Sequence, residues 1–189
     1  MQKKFKKRII ALAVLTAVAA VGVTLGFMFK KAATVNTFTP AVVSCAVHEK
    51  ADNEEVTAAA AESNVKSDIR VENTGNIKEF LRLRLVSYFV DENGNVSGSE
   101  PSAYPNITLN DKWIAGSEHT YYYPEPIEPQ KLTPALCEPF TLEKRLTQDG
   151  KTVYQVVEVF AEAIQAEPDA AAAAAWNVTV SNGIITSAP

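Results

Sequence analysis

The stretch that most constrains the fold is the run from Phe80 to Val90, in which apolar and polar side chains alternate. One side carries Leu81, Leu83, Leu85 and Phe89, and the other side carries Arg82, Arg84, Val86 and Tyr88. Successive side chains of a β-strand point to opposite faces, so the pattern predicts a strand with one buried and one exposed face. Turn sequences bound the run: Gly75 in NTGN is expected to supply positive φ, and Asn93-Gly94 in DENGN is expected to form a tight turn.

Further strands are predicted on both sides of this run. Val43, Cys45 and Val47 alternate with Ser44, Ala46 and His48, and residues 65–73 place Ile69 and Val71 on an inward face. The longest candidate follows Asp149-Gly150 and has apolar residues on both sides, as expected for a strand central in its sheet. Shorter pieces are predicted at 107–109, 119–123 and 140–146, and prolines at 124, 126 and 129 favour sheet edges and loops there.

Helical structure is predicted at only two short places after the amino-terminal region. The Ala-rich connection suggests a helical turn at 57–61, and EPDAAAAAAW predicts one short helix because Pro168 and Asp169 suit its first turn. The segments WNVTV and GIITS then predict a last strand. About seven short strands separated by polar turns indicate an all-β fold, an antiparallel jelly-roll-like β-sandwich over residues 39–189.

The amino terminus has the layout of an export signal. A basic cluster precedes an apolar run from Ile9 to about Gly26, and small residues stand at the −3 and −1 positions of a cut between Gly26 and Phe27. In a second interpretation the apolar run continues to Phe29, so that its length is about the 20 residues needed to span a bilayer. Residues 1 to about 31 would then form a membrane anchor. Both place the remainder outside the cytoplasm, with residues 27–38 as a leader to the domain.

Composition and charge exclude several classes of function. The first 26 residues hold five basic and no acidic residues, so the rest has 18 − 5 = 13 basic against 22 acidic residues, a net charge of −9. No basic patch follows Lys31, so nucleic-acid binding is not expected. With two His and two Cys at unsuitable spacing, and without a phosphate loop or nucleophile motif, we expect no metal site, no cofactor and no catalytic residue.

Three further residue sets leave alternatives open. Cys45 and Cys137 form either a disulfide outside the cell or a pair of packed thiols. Trp113, Tyr121, Tyr122 and Tyr123 form either an exposed partner surface or edge-strand packing beneath the Pro-rich loop. Glu158 and Glu162 share one face and are read as part of a solvated sheet surface, where Arg82 and Arg84 would pair with Asp68, Glu72 or Glu158.

The order of several motifs resembles the TasA/camelysin-like family of Gram-positive exported proteins, whose signals are cut by a signal peptidase of the SipW type. The matching stretches are GVTLGF at 22–27, VNTFTPA at 35–41, VENTGNIKEFLRLRLV at 71–86, and VVEVFAEAIQA at 156–166 leading to AW at 175–176. The resemblance implies a secreted jelly-roll-like β-sandwich. It also implies assembly into extracellular or biofilm-matrix fibres by strand exchange, in which a segment of one subunit completes the sheet of the next.

The first expectation for function is therefore an exported, non-enzymatic fibre subunit that associates with itself or with other matrix proteins. Residues 27–47 would supply the donated or edge strand, with Val42, Val43, Cys45 and Val47 at its end. The alternative is a membrane-anchored surface sandwich that binds a ligand or partner through the Trp113–Pro129 region. An exported metalloprotease is a remote third, because a zinc protease needs three protein ligands and a base, and HExxH is missing.

Overall fold

The computed structural model describes residues 39–51, 65–97, 103–147 and 149–189. The predicted signal or anchor, the Gly26–Phe27 cut, the leader at 27–38 and the helical turn at 57–61 lie outside the described residues. Within the part that is described, no helix has the length and apolar character needed to cross a bilayer.

The described chain is mostly β-structure and has one short helix. The strands are β1 (Cys45–Ala51), β2 (Val65–Asn73), β3 (Glu79–Val90), β4 (Ile114–Ala115), β5 (Thr120–Tyr122), β6 (Phe140–Thr141), β7 (Lys144–Leu146), β8 (Thr152–Gln165), β9 (Thr179–Ser181) and β10 (Ile184–Ser187), and the helix is α1 (Ala170–Trp176). The predicted strand at 65–73, the long strand after Gly150 and the Ala-rich helix are confirmed. The predicted last strand is a hairpin of two short strands, β9 and β10.

The strands pair into three antiparallel sheets. A three-stranded sheet has the order β1-β2-β6, a five-stranded sheet has the order β4-β5-β3-β8-β7, and β9 and β10 form the third. The long central pair is β3 with β8, in continuous register from Glu79 opposite Gln165 to Val90 opposite Tyr154. β8 lies between β3 and β7, which confirms the prediction that the longest strand is internal to its sheet.

The alternation of β3 positions the main core. Leu81, Leu83 and Leu85 are fully buried, whereas Arg84 is exposed, so the run has the predicted dry and wet faces. The leucines pack in one cluster with Ile69 and Val71 of β2, which belong to the other large sheet. Burying each such side chain contributes about 2 kcal/mol, so the contact between the two sheets is a principal source of stability.

A second cluster covers the opposite face of the five-stranded sheet. Phe80 of β3 and Tyr122 of β5 pack there against Ala172 and Trp176 of α1 and Ile185 of β10. α1 begins after Asp169, and it ends at Asn177, which adopts left-handed geometry (φ 54°) as a helix C-cap often does. The hairpin and helix therefore act as a lid over one end of the sheet.

The turn residues behave differently at the two ends of β3. Gly94 has φ +81°, and the Asp91 carboxylate accepts the N–H groups of Asn93 and Asn95 at 2.8 and 2.9 Å, as a tight turn requires. The positive φ expected at Gly75 is wrong, because the positive-φ glycines of the described chain are Gly94, Gly150 and Gly183. Gly75 is required for space: a Cβ atom there would collide with the Val42 carbonyl oxygen and the Glu79 carboxylate.

Candidate functional site

The two sides of β8 differ in their backbone pairing. On β3, Leu85 N–H donates to His119 O and Leu81 O accepts from Tyr123 N–H, both at 3.0 Å, so its odd-numbered residues bond towards β5. Its even-numbered residues therefore bond towards β8, where their register partners are also even-numbered, as in Arg84 opposite Phe160. It follows that the odd-numbered residues of β8 direct their N–H and C=O groups away from β3.

This outward side of β8 is paired over only a short length. β7 pairs with Thr152–Tyr154, and Gln155 N–H donates to Glu143 O at 2.8 Å. The Lys66 ammonium then donates to Val157 O at 2.5 Å. Beyond this point, no strand formed by the described residues pairs with the outward groups of Val159, Ala161 and Ala163. The strand is internal at its beginning and is an open edge at its end.

β1 presents a matching open edge. Val71 and Asn73 of β2 bond to residues 131–133 on the side away from β1, so the even-numbered residues of β2 bond to β1. Since the register sets Ala46 opposite Glu72 and His48 opposite Arg70, Cys45 and Val47 direct their backbone groups outward. Cα atoms of β1 and β8 approach within 8 Å, although the described strands form no ladder between them. We call this junction the β1/β8 seam.

The seam has apolar side chains and backbone groups with which no strand of the described residues pairs. Cys45 and Val47 of β1 and Val159, Ala161 and Ala163 of β8 are partly buried and pack against the main core cluster. β1 and β8 can separate at the seam with little loss of hydrogen bonding, because β1 stays paired with β2 and β8 stays paired with β3. An extended segment placed here would gain backbone partners from either edge.

A polar cluster fixes the entry of the chain into β1. Asn76 accepts the Val42 N–H through Oδ1 at 2.8 Å and donates its own N–H to Val42 O at 3.1 Å. Thr74 and Gly75 donate their N–H groups to Ser44 O at 2.9 and 3.1 Å, and the Thr74 and Ser44 hydroxyls are 2.8 Å apart. Glu79 Oε1 accepts the Ser44 N–H at 3.0 Å. We call residues 73–76 together with Glu79 the clamp.

Glu79 is an unusual residue at this position because its side chain is wholly buried. Its Oε2 atom has no hydrogen-bond partner among the described residues. Burial raises the pKa of its carboxyl group, and the bond from Ser44 N–H offsets only part of that effect. The pKa of the neighbouring Cys45 thiol is raised as well, first by burial and then by the charges of Glu79 and Glu162. The clamp therefore disfavours negative charge.

Asn73 completes the clamp from beneath and is also fully buried. Its side-chain amide donates to the carbonyl groups of Ile77 and Ile127 at 2.7 and 2.8 Å, and its Oδ1 accepts the Gly75 N–H at 2.8 Å. The side chain thus satisfies three backbone groups of the turn and an adjacent loop. The turn that bonds to Ser44 is therefore fixed by hydrogen bonds from a buried side chain.

The four residues predicted to form the donated or edge strand differ in their burial. Val42 and Val43 precede β1 and have 48% and 42% of their surfaces exposed, whereas Cys45 and Val47 lie within β1 and pack on the core. Cys45 and Cys137 are free thiols that belong to the same cluster. Burial raises the pKa of the Cys137 thiol to about 11, which disfavours its reactive thiolate form at neutral pH. Disulfide formation between them stays a prediction.

Of the two alternatives left open for the aromatic segment, the structure contradicts the exposed partner surface. Trp113, Tyr121, Tyr122 and Tyr123 are all buried. β5 lies between β4 and β3, with Tyr121 and Tyr123 in the main core and Tyr122 beneath the lid against Trp176. Trp113 meets Tyr123 edge-on with ring centroids 5.5 Å apart, so both faces of this segment are covered.

The exposed face of β3 and β8 carries paired charges. Arg82 donates to Glu162 at 2.7 Å, Arg84 lies 3.4 Å from Glu118, and the Tyr88 hydroxyl donates to Glu158 at 2.7 Å. The arginines thus have partners other than the predicted Asp68, Glu72 and Glu158. Within the described ranges, no three His, Cys, Asp or Glu side chains converge in a way that would hold a metal ion.

Sequence reasoning missed Glu79, although the sequence contains a signal for it. Extending the alternation of β3 backwards places position 79 in phase with Leu81 and Leu83, on the buried face. A carboxylate at a buried position of a strand requires a specific hydrogen-bond partner. The backbone N–H groups of the adjacent NTGN turn hold that partner in place by bonding to Ser44 O. The partner itself, Ser44, is 35 residues away and is not predictable from local pattern.

Comparisons with known proteins yield no assignment. No protein-family model matches the chain, and no curated protein or solved structure matches it either.

Proposed function

We propose that this protein is an exported structural subunit that assembles into extracellular fibres by strand exchange at the β1/β8 seam. The observation that carries the proposal is the outward edge of β8 from Val159 to Ala163, which has no strand partner in the described chain and belongs to a strand whose Cα atoms come within 8 Å of those of β1. An unpaired edge over a shared apolar core is a template for an added strand.

The surroundings of the seam favour a protein strand as its occupant. Backbone N–H and C=O groups along the outward side of β8 would provide affinity, and Ala161 and Ala163 on this stretch are partly buried against the main core cluster. The net charge of −9 beyond residue 26 disfavours nonspecific clustering, so association has to come from directional contacts such as a ladder. The donated strand would come from residues 27–47 of another subunit.

The architecture proposed for the subunit is a jelly-roll-like β-sandwich. Its support is the main core cluster, in which Ile69 and Val71 of one sheet pack with Leu81, Leu83 and Val157 of the other. The resemblance of the motifs to the TasA/camelysin-like family supports the same fold, secretion and processing by a SipW-type peptidase. The location of the protein in the extracellular matrix or at the cell surface belongs to this proposal.

The first test is to determine the amino terminus and the particle size of the protein recovered from outside the producing cells. Intact mass would locate the cut, and size-exclusion chromatography with light scattering would measure the assembly. A chain that starts at Phe27 and elutes as large polymers would support the proposal. A chain that retains residues 1–26, fractionates only with membranes and is monomeric in detergent would overturn it in favour of an anchored surface protein.

A matched pair of variants then tests whether the seam mediates assembly. Ala161→Pro removes an outward N–H of β8 without removing a bond to β3, and Ala161→Val keeps that N–H. We expect Ala161→Pro to abolish polymers while the monomer stays folded by circular dichroism, and Ala161→Val to polymerise. Normal polymers from folded Ala161→Pro would exclude the β8 edge as the assembly site.

A further inference from the structure

We propose that the clamp is a pH-sensitive switch, in which protonated Glu79 keeps the Val42–Ser44 segment bound and ionised Glu79 releases it while the rest of the domain stays folded. The inference concerns the entry of one chain into its own fold, and it does not depend on the proposed function. One carboxyl group changes charge, and a segment of three residues responds.

The Glu79 carboxyl group lies among acceptor oxygens. A Cβ atom at Gly75 would collide with Glu79 Oε1 and with the Val42 carbonyl oxygen, and it would lie 3.2 Å from Asn73 Oδ1. These three oxygens therefore surround one point of the clamp. The partial negative charges of the carbonyl and amide oxygens oppose a negative charge on the carboxyl group, so its protonated form suits these surroundings better.

The closed clamp offers little to stabilise an ionised Glu79. The side chain is wholly buried, its Oε1 accepts the Ser44 N–H at 3.0 Å, and its Oε2 has no hydrogen-bond partner among the described residues. A buried carboxylate is stable when it is paired with a cation or accepts several hydrogen bonds. A single donor falls short of that, and burial accordingly raises the pKa of this carboxyl group.

The basic side chains nearest to Glu79 along the chain are paired with other acids. Lys78 Nζ lies 2.7 Å from Glu128, and Arg82 lies 2.7 Å from Glu162 of β8. The causes that shift the pKa of Glu79 are burial and the bond from the Ser44 N–H, and neither is a neighbouring cation. Ionisation inside the closed clamp therefore gains no ion pair within the described chain.

Two titratable groups of β1 also have to be considered. The charge of Glu79 helps to raise the pKa of the Cys45 thiol, which lies above 9.0 and so leaves the thiol neutral where the carboxyl group titrates. His48 bonds to Glu72 of β2 at 2.7 Å. Because histidine side chains change charge between about pH 5 and pH 8, the effect of His48 on β1 has to be separated from that of Glu79.

The segment that bonds to the clamp can leave without disrupting the core. Val42 and Val43 are 48% and 42% exposed, so their release exposes little additional apolar surface. Cys45 and Val47 pack against the main core cluster, and β1 is paired with β2 from Cys45 onward, so the strand itself stays in place. Once the segment has left, water can solvate the carboxylate, which removes the cost of burying its charge.

The direction of the pH effect follows from these two states. The closed clamp keeps its proton up to the raised pKa of Glu79, whereas the open clamp keeps it only up to about the ordinary value of 4.5. The equilibrium constant for release therefore increases as the pH rises between these two values, by at most about tenfold per pH unit, and is constant above them.

Hydrogen exchange measured by mass spectrometry tests the switch on the full protein as recovered from the producing cells. Protection is followed from about pH 4 to pH 8 in peptides that cover residues 41–46 and residues 80–86, after correction for the intrinsic pH dependence of amide exchange. We expect protection of 41–46 to fall with rising pH, by up to about tenfold per unit, while that of 80–86 is unchanged. Constant protection of 41–46, or an equal fall in both peptides, would overturn the proposal.

Two variants assign the change to one side chain. Glu79→Gln keeps the shape of the side chain but cannot ionise, so its protection of residues 41–46 should not depend on pH. His48→Gln is the matched control, because it removes the other titrating group of β1 and keeps Glu79, and it should show the fall of the wild type. A fall that persists in Glu79→Gln, or that disappears in His48→Gln, would contradict the assignment.

A measurement on the wild type decides the question even if Glu79→Gln does not fold. The carboxyl carbon of Glu79 is labelled with ¹³C, and its chemical shift is followed over the same pH range. The titration midpoint should lie above 4.5 and should coincide with the fall in protection of residues 41–46. A midpoint at or below 4.5, or one separate from the change in exchange, would overturn the proposal.

Discussion

The two sides of β8 differ in how far along the strand they are paired. Towards β3 it is paired from Tyr154 to Gln165, and the leucines of β3 lie over the core beside it. Towards the seam the pairing ends near Gln155, and the later backbone groups have no partner strand in the described chain. The amino-acid types change along the strand, from the Val-rich beginning to Ala161 and Ala163, but the pairing with β3 continues through both parts, so the difference between the two sides comes from the lengths of the neighbouring strands.

The largest effect is expected when the paired side is weakened through its core. Leu83→Ala removes a fully buried side chain between the two large sheets and should lower the free energy of unfolding by about 3 kcal/mol. Urea denaturation followed by circular dichroism measures this change. Arg84→Ala, one residue away on the exposed face, is the control and should change the stability by about 0.5 kcal/mol or less. Similar losses for the two variants would contradict the assignment of buried and exposed faces.

A smaller loss is expected from proline on the β3 side of β8. Phe160→Pro removes an N–H that bonds to β3 opposite Arg84 and should cost about 2 kcal/mol, whereas Ala161→Pro removes only an outward N–H and should cost less. Denaturation midpoints of the two variants give the comparison directly. Equal destabilisation would mean that the outward side of β8 is bonded as fully as the inward side.

The clamp predicts a dependence of stability on pH. Because burial raises the pKa of Glu79 from its ordinary value of 4.5, its protonated form is favoured by folding. The stabilisation is present below the ordinary pKa and is lost as the pH rises through the raised pKa of the folded state. The Cys45 thiol, whose own pKa is raised from 9.0, stays neutral over that window.

Glu79→Gln isolates this contribution. Relative to the wild type, the variant should become more stable as the pH rises above the ordinary pKa of Glu79, because it buries no charge at the higher pH. The measurement is the difference between the two unfolding free energies at each pH, which cancels the titration of other groups. A difference that does not change with pH would show that Glu79 titrates as it does in the unfolded chain.

The smallest effect is expected from the ion pair on the exposed face of the paired side. Glu162→Gln breaks the 2.7 Å contact with Arg82, but half of the Glu162 side chain is exposed and solvent screens the pair. The loss should be about 0.5 kcal/mol or less, and smaller still in 1 M salt. Thermal melting at two salt concentrations measures it. A loss comparable with that of Leu83→Ala would mean that charge, rather than apolar burial, stabilises this side.

Local sequence patterns predicted where the strands and the helix lie, but they predicted less well which strands lie side by side. The alternation of apolar and polar side chains in β3 and in β2 reflects whether each residue is buried or exposed, so both strands could be predicted from it. Which strand lies beside the end of β8 depends on contacts between residues far apart in sequence, which no local period encodes. The tyrosines of β5 illustrate the same limit, because the sequence left a partner surface and edge-strand packing open for them, whereas the two clusters cover both faces of the segment.

The candidate site was predictable only in part. The segment around Val42 and Cys45 was singled out by its alternation and by the resemblance, and it does lead into a strand at the end of its sheet. The role of Gly75 was misassigned because φ preference and close packing favour the same residue in a sequence. Glu79 required the periodicity to be extended back to the first residue of β3, close to a turn, where a carboxylate is usually expected to be exposed.

The bond from Lys66 to the Val157 carbonyl marks where the stretch of β8 without a described partner strand begins. The same ammonium group lies 3.0 Å from the Glu49 carboxylate, so an outward acceptor on the side nearer β7 is already occupied. From Val159 to Ala163 the outward groups of β8 span about 13 Å at the rise of an extended strand. A strand added along this stretch would meet the outward groups of three residues, so the ladder that it forms there would be short.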